Sequence, residues 1–269
     1  MQEQNKQHKI TIFLAAIIAA YLWPVALFSV LSLFPSTTLL KYLFTAIGSL
    51  VILAIALFAI RNDTVSLEEI GWSQEGLQQA LKILAVGWGL WAILVVSINF
   101  KMGYPFRENF ESPLPEIVVH WLFVGIAEEA LFRGYILVKL IQVFTRIGRV
   151  WSKVAGIALS SLLFATYHIP QRVFVHGMAL TPDALMGQMI PLFLSGTLLA
   201  WLFLRSGQNV LFVGLFHGGM NAPPIGRTGD LAPVFLFLVL VEIFAWRKRK
   251  QASVPLSPHE TTGGNHPPC

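Results

Sequence analysis

Eight apolar runs, most of them close to the length a helix needs to cross a bilayer, dominate this 269-residue sequence. They fall at about 10–34, 39–60, 81–100, 114–142, 151–169, 185–204, 209–222 and 231–246, against the ~20 apolar residues of a membrane-crossing helix. Hydrocarbon cannot hydrogen-bond the backbone, so a span must pair its own peptide groups, and runs of this length do so as helices. Charged residues make up 12% of the chain, roughly half the ~25% of a soluble domain, which is too few for an ordinary water-facing surface. The expected fold is therefore all-α, a polytopic transmembrane helical bundle of about eight spans, with one domain over 1–250. Residues 251–269, rich in Pro, Gly, Ser and Thr, read as a disordered C-terminal tail. No internal repeat is visible.

The net charge of +5 does not point to nucleic acid, because the cations sit at the ends of apolar runs. With eight crossings and both termini inside, one side holds Lys6, Lys9, Arg61, Lys82, Lys139, Arg146, Arg149, Lys153, Arg205, Arg247, Lys248, Arg249 and Lys250. The other holds Lys41, Lys101, Arg107, Arg172 and Arg227. Thirteen against five orients the chain with cytoplasmic termini, as a multi-pass protein of a bacterial inner (plasma) membrane, provided that 209–222 counts as a crossing. Residues 62–80, which carry Asp63, Glu68, Glu69 and Glu75, read as an interfacial loop or helix. The first run is too long for a signal peptide and is expected to be retained. The lone cysteine, Cys269, excludes an internal disulfide and a CxxC site. It lacks the three following residues of a prenylation signal.

Ionisable residues inside spans each cost roughly 2.5–3.5 kcal/mol, so they persist where they face a cavity or a partner. The fourth run contains GIAEEALFRGY. Glu129 and Arg133, four apart, lie about 40° from each other on a helical wheel and can pair along one face. Glu128 points about 100° away from Glu129 and has no helical neighbour of opposite charge. A carboxylate left free in a low-dielectric cavity suits a general base, whereas a purely structural ion cluster is the alternative. The fifth run ends in SLLFATYHIP, with Phe164 and His168 on one face and Pro170 breaking the helix. In NVLFVGLFHGGMNAPP, His217 and Asn221 share a face, and Gly218 and Gly219 let a helix or a substrate backbone come close.

Together these stretches resemble a known family. EEALFR (Glu128, Glu129, Arg133), FATYH (Phe164, His168) and HGGMN (His217, Asn221) resemble the EExxxR, FxxxH and HxxxN motifs of the CAAX-protease and bacteriocin-processing (CPBP) intramembrane endopeptidases. Their order and their spacings of about 40 and 50 residues fit as well, and Gly134 extends the first motif to FRG. The likeness covers about 115–225. It implies that Glu128 activates the attacking water and that Glu129 and Arg133 form a supporting pair. By the same likeness His168, His217 and Asn221 position the water, stabilise the oxyanion or bind a metal. Two chemistries follow: Zn²⁺ held by His168 and His217 with Glu128 or Asn221, or direct activation of water by Glu128. With no HExxH signature, and asparagine a poor zinc ligand, the balance tilts to the metal-independent glutamate route. The expected partners are membrane lipid and a membrane-associated peptide or protein substrate, prenylated tails among the candidates, and no nucleic acid.

Other intramembrane proteases fit poorly. FLSG at Phe193–Gly196 has Phe where a rhomboid-type GxSG needs Gly, and Asp63, Asp183 and Asp230 fall in loops or at span ends. Two rival functions remain: a proton- or ion-coupled transporter, for which Glu242 is an unexplained acid, and a non-proteolytic binding or immunity protein. Glu116 and His120, four apart, are expected to be interfacial.

Overall fold

The structure, a computed structural model, describes residues 2–31, 38–103, 114–224 and 232–252. The proposed tail, apart from its first two residues, lies outside them, as do Arg107, Arg227, Asp230 and Cys269. All regular structure among the described residues is helical. Eight rods follow the apolar runs: α1 (Gln2–Leu31), α2 (Thr38–Asn62), α3 (Gln74–Met102), α4 (114–143), α5 (Arg149–Tyr167), α6 (Pro182–Arg205), α7 (Val210–Asn221) and α8 (Ala232–Ala252). Among the described residues, five helices are long and apolar enough to cross a membrane: Gln7–Leu31, Thr38–Asn62, Gln74–Met102, Arg149–Phe174 and Pro182–Arg205.

These helices turn large apolar side chains outward, among them Leu14 and Ile18 on α1, Phe58 on α2, Ile93 on α3 and Leu162 on α5. In water so much exposed apolar surface would aggregate; against lipid it costs nothing. At the centre stand α4 and α7. Every residue from Val210 to Gly219 is buried, and α4 is enclosed on all sides from Ala130 to Leu140. The two helices meet backbone to backbone because glycine allows it. A Cβ on Gly125 would lie 2.1 Å from the Gly214 carbonyl oxygen, and one on Gly218 would lie 2.4 Å from that of His120.

Local chemistry fixes the ends of α7. Asn209 caps it, accepting from the Phe212 amide at 2.9 Å and donating Nδ2 to the Gly76 carbonyl at 2.8 Å. At the far end Trp121 Nε1 donates to the Ala222 carbonyl at 2.9 Å. Thus α7 starts beside the start of α3 and finishes beside Trp121 of α4, with Gly219 against Trp88 in the middle of α3, so 209–222 enters the bundle from one end and stops inside it. It has only 12 residues, ~18 Å at 1.5 Å per residue, and is sheathed by protein rather than lipid.

Three expectations need adjusting. Residues 74–80 are the first turns of α3, started by the Ser73 side chain accepting from the Gly76 amide at 3.0 Å, and only the stretch before them is irregular. α4 is not uniform: Val119–Gly125 and Ala130–Leu137 are π-helical and flank an α-helical Ile126–Glu129. Gly218 and Gly219 serve packing, against the α4 backbone and against Trp88 and Trp121.

Candidate active site

Glu128 and Glu129 occupy the short α-helical stretch between the two π-helical segments, a distortion common at functional sites. Arg133, fully buried, donates Nη1 to Glu129 Oε1 at 3.0 Å and Nη2 to the Gly196 carbonyl of α6 at 3.1 Å. Its guanidinium lies 4.3 Å from the centre of the Phe164 ring. The expected pair along α4 is present, and it is tied to α5 and α6 as well.

Glu129 Oε1 also meets His217 Nδ1 at 2.8 Å. The chain of contacts therefore runs from Arg133 through Glu129 to His217 on α7. His168 sits where α5 stops: Ile169–Phe174 begins a new short helix with Pro170 in its first turn. The His168 Nδ1 lies 2.8 Å from the Phe164 carbonyl, and its ring packs edge-on to Phe164 at 4.6 Å. Phe164 thus touches both halves of the site, with Arg133 on one side and the two imidazoles on the other.

Glu128 is different. Its Oε2 is buried and has no hydrogen-bond partner, and it faces His168 Nε2 at 3.7 Å and His217 Nε2 at 4.0 Å. The tautomers follow from the partners. A carbonyl and a carboxylate oxygen only accept, so both Nδ1 atoms carry a proton, and in the neutral form of each ring Nε2 presents a bare lone pair. Three acceptors converge with no proton among them, an arrangement that calls for a donor or a cation at its centre. Asn221, exposed and one turn beyond His217, lines the same cavity and makes no hydrogen bond to Glu128, Glu129, Arg133, His168 or His217.

Two imidazole nitrogens and a carboxylate oxygen form a donor set that zinc accepts, and the carboxylate behind His217 Nδ1 is the usual outer partner of a metal-bound histidine. Atoms sharing one zinc stand roughly 3.4 Å apart; atoms sharing one water stand roughly 4.4 Å apart. The observed separations lie between these values. Among the described residues, no group of three or more His, Cys, Asp or Glu is closed up tightly enough to hold an ion as it stands.

The site opens into a cavity of about 1020 Å³. Its walls are mostly apolar, including Trp23, Leu27, Phe28, Phe44, Leu198 and Phe216, with Lys41, Arg172 and His176 among the polar members. His120, expected at the interface, stands instead in the cavity wall with a buried Nδ1 that has no partner. Its position eight residues, just over two turns, before Glu128 was the available signal. Tyr167, also in the wall and 5.3 Å from the His168 ring, carried no such signal. Glu242 is not a stray acid in a relay: Arg205 holds it through two hydrogen bonds, Nε to Oε1 at 2.6 Å and Nη2 to Oε2.

No curated protein matches the chain. Residues 110–223, which contain all three motifs, match the family model described as Type II CAAX prenyl endopeptidase Rce1-like. Residues 110–223 of this integral membrane protein are therefore similar to the Rce1-like type II CAAX prenyl endopeptidases, the family that its motifs resemble.

Proposed function

We propose that the protein hydrolyses a peptide bond of a membrane-associated polypeptide bound in the cavity, with Glu128 activating the water. The observation that carries this reading is the convergence of Glu128 Oε2, His168 Nε2 and His217 Nε2 on one point beside a large apolar cavity. A water at that point donates its protons to acceptors that otherwise face one another unsatisfied. Glu128 takes one proton as the water oxygen bonds to the scissile carbonyl carbon. His217, held through Nδ1 by the Glu129 carboxylate, orients the water by accepting its second O–H at Nε2. The Asn221 amide donates to the oxyanion. Glu128 returns its proton to the amide nitrogen as the C–N bond breaks, which leaves an amine and a carboxylic acid that loses its proton to solvent. Arg133 holds the Glu129 carboxylate in place.

Where a zinc ion binds, His168, His217 and Glu128 would hold it, and it would supply a bound water of lowered pKa. Substrates are apolar or lipid-modified segments, given the lining of the cavity. The transport reading has lost its particular support now that Glu242 is paired with Arg205.

The test uses purified protein in phosphatidylcholine vesicles with a panel of apolar peptides, prenylated and unmodified, in ¹⁸O-water. Cleavage with one solvent oxygen in the new carboxyl group is the expected result. Uncleaved peptides together with proton or ion flux in the same vesicles would return the reading to transport. Metal analysis runs alongside, and about one zinc per chain, lost in His168→Ala, would move the activation of water from Glu128 alone to the metal.

A further inference from the structure

The cavity belongs to one end of the bundle. Its walls come from the end of α1 (Leu27, Leu31), the start of α2 (Lys41, Tyr42), the start of α4 (Val119, His120), the end of α5 with the short helix after it (His168, His176), Asn221 of α7 and Val234 of α8. The opposite end, where α2, α4 and α6 finish, is tied shut by polar pairs. Asp63 receives Lys139 and Tyr135, Asn209 bonds Gly76, and Arg205 bonds Glu242.

The two ends also differ in charge. With α7 starting at the tied end and α8 returning to it, from Val234 in the cavity wall to Phe244 beside Lys82 and Arg205, the described residues include thirteen cations at the tied end and three, Lys41, Lys101 and Arg172, at the cavity end. Setting aside Lys139 and Arg205, which have carboxylate partners, leaves eleven against three. Lysine and arginine near span ends are retained on the cytoplasmic side, so the tied end is cytoplasmic.

We infer that the cavity opens on the outer, non-cytoplasmic face of the membrane and that its substrate is an extracytoplasmic segment of a membrane-anchored polypeptide, not a lipidated tail presented from the cytosol. The substrate half of this inference rests on the proteolytic reading above; the orientation half does not. Two cations at the poor end, Lys41 and Arg172, stand in the cavity wall, where they face an incoming chain.

Cysteine labelling decides it. In a Cys269→Ser background, His176→Cys places a thiol at the exposed mouth and Lys153→Cys places one on the exposed surface of the opposite end. Each is treated in spheroplasts with a membrane-impermeant maleimide and normalised to the same cells after permeabilisation. The inference expects His176→Cys to react nearly fully in intact spheroplasts and Lys153→Cys only after permeabilisation. The reverse pattern, equal reaction of both, or a mouth thiol that reacts only after permeabilisation overturns it. Adding Glu128→Gln leaves the labelling unchanged, so a failure of the proteolytic reading is seen in the cleavage assay while the orientation stands or falls here.

Discussion

The two ends of the bundle handle buried polarity in opposite ways. At the tied end Asp63 and Glu242 have their complements: Lys139 Nζ lies 2.5 Å from Asp63 Oδ1, Tyr135 donates to the other carboxylate oxygen at 3.0 Å, and Arg205 clamps Glu242. At the cavity end complementation stops halfway. Arg133 and Glu129 satisfy each other, but the chain of contacts runs out at three lone-pair atoms around Glu128. Completed pairs hold helices together, and an incomplete set is a place for something that comes and goes. The same residue types serve both purposes, so what separates structure from reactivity is whether the set is closed.

Breaking the closed pair inside the site has the largest structural effect. Arg133→Met strands the fully buried Glu129 and is expected to cost about 3–5 kcal/mol, read as a large drop in melting temperature in detergent, along with loss of cleavage. Adding Glu129→Gln removes the stranded charge, so the double variant regains much of the stability but none of the activity. A double variant no more stable than the single one would show that the pair is not the relevant unit.

At the tied end the effect is smaller and depends on pH. Burial works to raise the Asp63 carboxyl, but hydrogen bonds from Lys139, the Thr64 amide and Tyr135 outweigh it and hold it below its ordinary value. A carboxyl lowered in the folded state contributes fully above its unfolded pKa, and that contribution is lost as pH falls through the folded value. The wild type is therefore expected to lose stability on acidification below about pH 4, while Asp63→Asn is less stable at neutral pH and flatter across that acid range. Parallel acid slopes would contradict the assignment. Smallest of all is Arg205→Gln. Its pair is about one-third exposed, so despite the bidentate geometry the expected cost is under about 1 kcal/mol, with cleavage unchanged. A marked loss of cleavage there would mean that the two ends are coupled.

Much of this was legible in the sequence because lipid enforces it. Runs of about 20 apolar residues, interrupted by charge, have few ways to fold, and all eight runs became rods. The Glu129–Arg133 pair and the unbonded Glu128 followed from residue spacing alone. The π-helical stretches of α4 did not, because in a segment apolar on every side no periodicity distinguishes a wider turn from an ordinary one. The contact between Glu129 and His217 was hidden for another reason: the two are 88 residues apart, and only the glycine seam between α4 and α7 brings them together. Gly125 and Gly214 gave no separate sign of that seam, since a glycine in an apolar run can equally mark a lipid-facing turn. His120 was misplaced because spacing fixes a face of a helix but not what that face looks upon.

The central claim is that Glu128, the carboxylate left without a hydrogen bond, does the chemistry, while its neighbour Glu129 supports it. The most direct measurement is the cleavage rate of Glu128→Gln beside its melting temperature, in the vesicles and with the peptide cleaved fastest by wild type. Glutamine keeps the shape and removes the base, so the expected result is a loss of about 10²–10⁴-fold in rate with the melting temperature unchanged or raised. Wild-type cleavage by a folded Glu128→Gln protein would contradict the account.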